Sequence, residues 1–158
     1  EVPGPSSALR PLLDVCRALG HLHSRYPAIV HGDLKASNVF VETVPGFPGF
    51  IRAKIMDFGL SRALTRRARP LGGSLVWVAP EVAMRGSPVL ASDVFSLGRL
   101  VFFSMMARGP AEGMSHTSIL RLLRSGGVPP LPWPRDAGER ATACRSLVEA
   151  CSVPDPRL

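Results

Sequence analysis

The part of the sequence that most constrains the fold is a polar stretch set between short apolar runs. Residues 31–38 read His-Gly-Asp-Leu-Lys-Ala-Ser-Asn. Short apolar strands are predicted around it, at residues 28–30, 38–42 and 51–56. The last two strands are joined by a loop at residues 43–50 that contains two prolines and two glycines. This arrangement predicts a β-hairpin directly after the polar stretch.

The rest of the chain predicts helices, at residues 6–23, 93–107, 115–124 and 136–151, with a helical turn at 79–81. The first helix has apolar residues at i, i+3, i+7 and i+10, which are Leu12, Val15, Leu19 and Leu22. This spacing gives the helix one apolar face. Ser92 is expected to cap the long second helix. His21 and His23 lie near the end of the first helix, where polar side chains are ordinary, and no functional role is expected for them.

Composition places the chain among globular proteins with a core, because 46% of its 158 residues are hydrophobic. The net charge of +7 is almost all arginine, since Lys35 and Lys54 are the only lysines. A basic surplus can serve nucleic acid or an anionic membrane surface. Most arginines are scattered, however, and aromatic residues are not interleaved with the group at Arg62, Arg66, Arg67 and Arg69. No nucleic-acid partner is expected, and a basic nucleic-acid-binding domain is the least favoured alternative.

The three cysteines form no C-x-x-C pair and are odd in number. This favours reduced thiols and an intracellular, cytoplasmic protein. The thiols are expected to be small buried hydrophobes. The last helix is expected to place four residues on one face, namely Cys144, Leu147, Val148 and Cys151. No apolar run reaches the ~18 residues that a membrane span needs, so no membrane-spanning segment is expected.

The polar stretch carries side chains suited to phosphoryl transfer. Asp33 can accept a proton, and Lys35 can hold a positive charge against a phosphate. Asn38 can coordinate a metal through its amide oxygen. Asp57 supplies a second oxygen ligand, nineteen residues downstream of Asn38. Together these residues have the chemistry needed to transfer the terminal phosphoryl group of a nucleotide.

Four motifs occur in a fixed order along the chain. They are His31-x-Asp33-Leu34-Lys35-x-x-Asn38, Asp57-Phe58-Gly59, Ala79-Pro80-Glu81 and Asp93-Val94-Phe95-Ser96-x-Gly98. In this order and spacing the chain resembles the C-terminal lobe of the eukaryotic protein kinases. The resemblance covers residues 1–158 as a partial kinase domain, with catalytic loop 31–38 and activation segment 57–81. It implies an α+β, mainly α-helical fold, a helical bundle with a short β-hairpin.

The resemblance implies a protein kinase that uses ATP and Mg²⁺ and acts on serine and threonine hydroxyls of protein substrates. Asp33 would receive the proton of the substrate hydroxyl, and Lys35 would neutralise charge on the transferred phosphoryl group. Asn38 and Asp57 would bind the metal, and with Lys35 they form the cofactor-binding set. Structural roles fall to His31, Phe58, Gly59, Ser74, Glu81 and Asp93.

Several of these structural roles can be stated in detail. His31 and Phe58 would stack under the site, and Gly59 would let the backbone turn sharply. Ser74 would bridge Asp33 and Lys35. Asp93 would anchor the backbone of the catalytic loop, although a negative charge at a helix N-terminus is an alternative reading that can hold at the same time.

The residues at the variable positions of these motifs indicate a subgroup of the kinase family. Lys35, two residues after Asp33, matches the serine/threonine-directed members. Trp77 and the segment 92–98 are similar to those of the tyrosine-kinase-like serine/threonine kinases.

Two departures from the family pattern affect the regulation of the protein and the ion pair that Glu81 normally makes. Gly32 stands where the family usually has an arginine that pairs with a phosphorylated activation loop, so a kinase not switched in the usual way is expected. The arginine that normally pairs with Glu81 in the family is expected just after Leu158, outside the 158 residues. Glu81 is therefore expected to use Arg145, Arg157 or another partner, or to be partly exposed.

The third departure is that the N-terminal lobe is absent from the 158 residues. No glycine-rich loop and no Val-Ala-x-Lys strand precede Ser6. Half of the nucleotide site is expected either to lie upstream in a longer parent or to be missing altogether, and the chain alone is expected to be inactive. The alternative is a pseudokinase or truncated kinase-like binding module.

Overall fold

The computed structural model describes residues 5–47, 49–63, 75–84, 86–134 and 138–153. Its helices are α1 (Pro5–His23), α2 (Pro80–Ala83), α3 (Leu90–Met106), α4 (His116–Arg124) and α5 (Glu139–Cys151). Its strands are β1 (Ile29–Val30), β2 (Val39–Thr43), β3 (Ile51–Ile55) and β4 (Arg62–Ala63), with 3₁₀ turns at Ala36–Asn38 and Phe58–Leu60. Helices with two small antiparallel sheets confirm the predicted α+β class with mainly helical content.

The core forms where α1 and α5 pack against α3. Three residues of the predicted apolar face of α1 are buried, namely Leu12, Val15 and Leu19 at 7%, 1% and 3% exposure, whereas Leu22 is only partly buried. The three buried side chains join Phe102 of α3 and Val148 of α5 in one cluster. α3 is apolar on several sides, as expected of a helix enclosed by neighbours. Within the described residues, no helix is both long enough and apolar enough to cross a membrane.

The predicted hairpin is confirmed as an antiparallel pair of β2 and β3. Its register pairs Val39 with Ile55 and Thr43 with Ile51. α1 packs on β3, and Asp14 Oδ2 accepts a hydrogen bond of 3.1 Å from the Ala53 backbone N–H. That N–H is thereby satisfied by a side chain of the neighbouring helix.

The second sheet was not predicted. β4 pairs with β1 over two residues, with Ile29 opposite Ala63 and Val30 opposite Arg62. A strand of two residues is too short to show the alternation by which strands are recognised. Its pairing brings the segment after Asp57 back to the start of the polar stretch.

The predicted cap of α3 is wrong. The helix begins at Leu90 with Val89 as its N-cap, so Ser92 lies inside the first turn. Ser92 Oγ instead accepts a hydrogen bond of 3.1 Å from the Val89 N–H. The side chain of the N-cap residue, Val89, is apolar and cannot cap the helix. Ser92, inside the first turn, instead accepts the hydrogen bond of the Val89 backbone N–H.

Two predictions of burial are also wrong. None of the three thiols is buried as expected, because Cys16 is exposed and Cys144 and Cys151 are only partly buried. On α5, Leu147 is 55% exposed while its neighbour Val148 is fully buried. Only part of the predicted face therefore meets α3, because the contact between the two helices is narrower than the apolar pattern suggested.

Arg99 is a charged residue inside the core. Its side chain is 0% exposed, and its guanidinium lies 4.7 Å from the ring centroid of Phe95. Nη2 donates to the Pro129 carbonyl at 2.7 Å, whereas Nε and Nη1 have no hydrogen-bond partner among the described residues. Burial lowers the pKa of Arg99 to about 10. The group is still charged at neutral pH, so its desolvation opposes folding.

Replacing Arg99 by an uncharged residue of similar length should therefore be tolerated. Arg99→Met removes the buried charge and keeps most of the packing volume. The free energy of unfolding should stay unchanged or rise by about 1 kcal/mol. Arg99→Ala, which leaves a cavity, should lower it by about 2–4 kcal/mol. Equilibrium denaturation of the purified proteins measures both values, and a Met variant as unstable as the Ala variant would contradict the account.

Two glycines in helices should respond in opposite ways to alanine. A Cβ at Gly98 would lie 2.7 Å from Cys151 Cβ, whereas a Cβ at Gly20 would meet nothing within 4 Å. Gly98→Ala should lower the free energy of unfolding by about 1–3 kcal/mol through overpacking between α3 and α5. Gly20→Ala should raise it by roughly 0.5–1 kcal/mol through helix propensity. Thermal unfolding of the two variants tests the sign of each change.

Candidate active site

Residues 31–38 form a loop between β1 and β2 that ends in the first 3₁₀ turn. The carboxylate of Asp33 lies at its centre. Its Oδ2 accepts hydrogen bonds from Lys35 Nζ at 2.6 Å and from Asn38 Nδ2 at 3.1 Å. The Asp33 side chain is 8% exposed and that of Lys35 is 23% exposed. The three chemically active residues predicted from this stretch are therefore in direct contact.

Asn38 is fixed by a second hydrogen bond. Its Nδ2 also donates to the Asp33 carbonyl at 2.8 Å. The amide nitrogen thus faces Asp33, and Oδ1 is the atom of this side chain that can coordinate a cation. Asn38 is buried and closes the 3₁₀ turn just before β2.

Asp57 lies at the same end of the hairpin as Asn38. The Met56 N–H donates to the Asn38 carbonyl at 2.8 Å and extends the strand pairing by one step. Asp57 follows directly and is exposed. The two predicted metal ligands therefore leave neighbouring strand ends.

The sharp turn at Asp57-Phe58-Gly59 differs from its prediction. The residue in the left-handed region is Asp57 itself, with φ +60°, and not Gly59. Aspartate tolerates this region better than most residues. Asp57 Oδ1 accepts the Gly59 N–H at 3.2 Å, and a Cβ at Gly59 would lie 3.0 Å from that oxygen. Gly59 therefore serves the close approach of the carboxylate rather than the turn.

His31 connects the loop to the Asp57 segment. It is fully buried, and its Nε2 lies 3.1 Å from the Met56 carbonyl oxygen while its Nδ1 accepts the Asp33 N–H at 3.3 Å. A carbonyl only accepts, so the proton of the neutral ring is on Nε2. The Phe58 ring meets His31 edge-on, with centroids 5.2 Å apart. The two rings lie together as expected, but in a T-shaped contact and not a stack.

Asp93 lies in the first turn of α3 and is 1% exposed. Its Oδ2 accepts the His31 backbone N–H at 2.8 Å, and its Oδ1 accepts the Gly32 N–H at 2.9 Å. This geometry matches the backbone anchor that the resemblance implied. The alternative reading holds as well, because the carboxylate is also at the N-terminus of the helix.

His23, for which no functional role was expected, also binds Asp93. Its Nε2 lies 2.9 Å from Asp93 Oδ2, across 70 positions of sequence. No pattern in the sequence indicated this pair, because a histidine at a helix end is ordinary. The contact depends on how α1 packs against α3.

Ser61 links the segment after Asp57 to the loop. Its Oγ donates to the His31 carbonyl at 3.2 Å, next to the β1–β4 pairing. Ser74, predicted to bridge Asp33 and Lys35, lies outside the described residues.

Glu81 of α2 is partly buried and finds its partner in α3. Ser92 Oγ donates to Glu81 Oε1 at 2.8 Å. Arg145, one of the expected partners, instead contacts Glu149 at 2.8 Å on its own helix. Arg157 lies outside the described residues. The expectation of another partner with partial exposure therefore fits the structure, and the expectation for Arg145 does not.

Ser92→Ala should destabilise the protein by about 1–2 kcal/mol, because the Glu81 carboxylate and the Val89 N–H each lose a hydrogen bond. The matched control is Ser125→Ala, since Ser125 is exposed and its hydroxyl donates to the Leu122 carbonyl at 2.8 Å, within the last turn of α4. The control should change stability by less than about 0.5 kcal/mol. Urea denaturation compares the two, and equal midpoints would show that the Ser92 contacts carry no stability.

These motifs and their geometry are those of a protein kinase domain, and the chain belongs to that family. The family model described as "Protein kinase domain" matches residues 6–157, nearly the whole chain.

Individual relatives are serine/threonine kinases by their names. Receptor-interacting serine/threonine-protein kinase 3 of Rattus norvegicus is 36% identical over 120 residues, which cover 71% of this chain and 24% of that protein. Probable serine/threonine-protein kinase WNK9 of Oryza sativa subsp. japonica is 29% identical over 145 residues, 90% of this chain and 32% of the relative. Serine/threonine-protein kinase/endoribonuclease IRE1 of the same plant is 38% identical over 106 residues, 63% of this chain and 11% of the relative. The matched segments span no more than a third of the length of these proteins.

Proposed function

We propose that this chain is the larger, mainly helical lobe of a serine/threonine protein kinase, which transfers the γ-phosphoryl group of ATP to serine and threonine hydroxyls of proteins. The observation that carries the proposal is the contact of Asp33 with both Lys35 and Asn38, at 2.6 and 3.1 Å. Membership of the protein kinase family supports it.

Asp33 and Lys35 have complementary tasks in this proposal. Phosphoryl transfer depends on alignment and charge neutralisation more than on covalent chemistry. The Asp33 carboxylate orients the substrate hydroxyl and accepts its proton. Lys35 Nζ lies beside that carboxylate, where its charge can also stabilise the phosphoryl group being transferred.

Asn38 and Asp57 would hold Mg²⁺. Both offer hard oxygen donors from neighbouring strand ends, the kind of ligand that Mg²⁺ prefers. Over the described residues, no group of three or more His, Cys, Asp or Glu side chains is placed to hold a metal ion. This pair fits a Mg²⁺ that arrives with ATP and keeps phosphate and water oxygens as its other ligands. When bound, the ion neutralises charge on the nucleotide phosphates.

A second lobe would complete the nucleotide site. The 158 residues contain no glycine-rich phosphate loop and no Val-Ala-x-Lys strand. Large apolar side chains are exposed along the hairpin and the segment after it, with Phe40, Met56 and Phe58 at 46%, 43% and 49% exposure. Exposed apolar surface of this kind is typical of a face that another part of a protein covers. We propose that sequence of the parent protein outside these residues supplies that lobe.

Two finer assignments concern the kinase subgroup and the location of the protein. Trp77 and the segment 92–98 support placement among the tyrosine-kinase-like serine/threonine kinases. The three free thiols support a reducing, cytoplasmic location.

A pseudokinase that only binds partners is the second candidate. Gly32 favours it, because an arginine of the usual pattern is missing. Asp33 and Asp57, which a catalytic protein needs, are both present.

The deciding experiment measures phosphoryl transfer by the parent protein. Asp33→Ala should lower kcat by about 10²–10⁴-fold, because the proton acceptor is lost, while binding of Mg²⁺ and ATP persists. Asp57→Ala should lose transfer together with Mg²⁺-dependent ATP binding. Glu112→Ala, which removes an exposed carboxylate, is the matched control and should act as wild type. Equal rates in all four proteins would contradict the proposal of an enzyme and favour the pseudokinase that only binds partners.

A further inference from the structure

Two of the three free thiols lie on helices that pack against the same part of α3. Cys16 belongs to α1, and Cys151 is the last residue of α5. A Cβ at Gly98 would lie only 2.7 Å from Cys151 Cβ, so the end of α5 reaches the backbone of α3 at this glycine. Because Gly98 has no side chain, Cys151 lies closer to the axis of α3 than helix packing usually allows.

Cys16 lies at about the same height along α3 as Gly98. α1 runs antiparallel to α3, because its last residue, His23, contacts Asp93 in the first turn of α3 and its start lines a cavity with the end of α3. Cys16 is seven residues before His23, or about 10 Å along α1. Gly98 is five residues after Asp93, or about 7.5 Å along α3. The two cysteines therefore approach α3 at one level.

The residues beside the two cysteines pack together, and the thiols influence each other. Val15, next to Cys16, and Val148, one turn before Cys151, are buried in the same cluster. Burial raises the pKa of the Cys151 thiol, and the Cys16 thiol raises that pKa further. A like charge has this effect only at short range. Packing and charge thus agree that the two sulfur atoms are neighbours where α1, α3 and α5 meet.

A third polar group at this junction is buried without a hydrogen bond. Ser152 follows Cys151, and its Oγ has no hydrogen-bond partner in the part of the chain that the structure describes. The same Oγ would lie 3.3 Å from a Cβ at Gly98. A buried hydroxyl without a partner is unfavourable. An oxygen atom added to a neighbouring sulfur would give this hydroxyl an acceptor.

We propose that Cys16 and Cys151 form an oxidisable thiol pair, which a hydroperoxide converts into a disulfide that joins α1 to α5. Cys16, the exposed member, reacts first: its sulfur takes one oxygen atom from hydrogen peroxide and becomes a sulfenic acid, and one water is released. The Cys151 sulfur then attacks the sulfenic sulfur, the S–S bond forms, and a second water leaves. One peroxide and two thiols thus give one disulfide and two waters, and a reducing thiol reverses the reaction.

The bond would act as a covalent tie across α3. A disulfide needs its two Cα atoms within about 7 Å of each other, so α1 and α5 would be held together at the level of Gly98. Burial raises the pKa of both thiols, and the thiolate is the reactive form. The pair should therefore remain reduced during brief exposure to peroxide at neutral pH and become oxidised during prolonged exposure. Transient disulfides of this kind are those found in reducing compartments.

The first test treats the parent protein with hydrogen peroxide and maps its tryptic peptides by mass spectrometry. Trypsin separates the peptide of Cys144, residues 141–145, from that of Cys151, residues 146–157. Wild type should yield the Cys151 peptide joined to the Cys16 peptide, and dithiothreitol should separate the two. The proposal is overturned if Cys16 is oxidised without this cross-link, is joined to another cysteine, or stays reduced throughout.

The second test compares variants of the parent protein. Cys144→Ser is the matched control, since Cys144 lies two turns from Cys151 on the same helix, about 10 Å away. Peroxide should raise Tm by about 5 °C or more in wild type and in this control, because the disulfide closes a loop of about 135 residues. Cys16→Ser and Cys151→Ser should each lose the cross-link and change Tm by less than about 1 °C.

An equal change of Tm in all four proteins would contradict the thiol pair. Neither measurement involves phosphoryl transfer, so the inference is tested separately from the proposed function.

Discussion

The buried carboxylate of Asp93 is the contact on which the site depends. A charge with 1% exposure persists inside a protein only when its acceptor positions are filled. Here two backbone amides of the loop and one imidazole fill them. The requirement acts in both directions. The carboxylate needs the loop amides, and the loop, which has little regular structure, gains a fixed conformation from the long helix that carries Asp93.

A second set of contacts keeps the loop and the Asp57 segment together. His31 bridges the Asp33 N–H and the Met56 carbonyl, Ser61 donates to the His31 carbonyl, and β4 pairs with β1. All of these join residues near position 31 to residues 56–63. The proposed proton acceptor and the proposed metal ligand are thus parts of one connected unit, although they come from different loops.

The sequence was most informative where the relevant residues are close along the chain. Asp33, Lys35 and Asn38 lie within six positions, so a single tight turn brings them together, and the apolar period of α1 defined its buried face. The sequence was least informative for pairs that only tertiary packing creates. His23 and Asp93 are 70 positions apart, and β4 is too short for a pattern. Arg99 gave no sign that it would be fully buried, because arginine is usually exposed. Asp57, and not Gly59, adopts the left-handed backbone, since the carboxylate can accept the N–H two residues on.

The contact of Asp14 with the Ala53 backbone has a consequence for association. In a two-stranded sheet each strand has an outer edge, and an open edge can recruit a strand from another molecule. The Asp14 carboxylate occupies the middle N–H of the outer edge of β3, and α1 packs over that strand. An incoming chain would have to displace a charged hydrogen bond and a packed helix. The hairpin is thereby prevented from forming an intermolecular sheet on this side. The same helix that contributes to the core also protects this edge against the addition of a strand from another molecule.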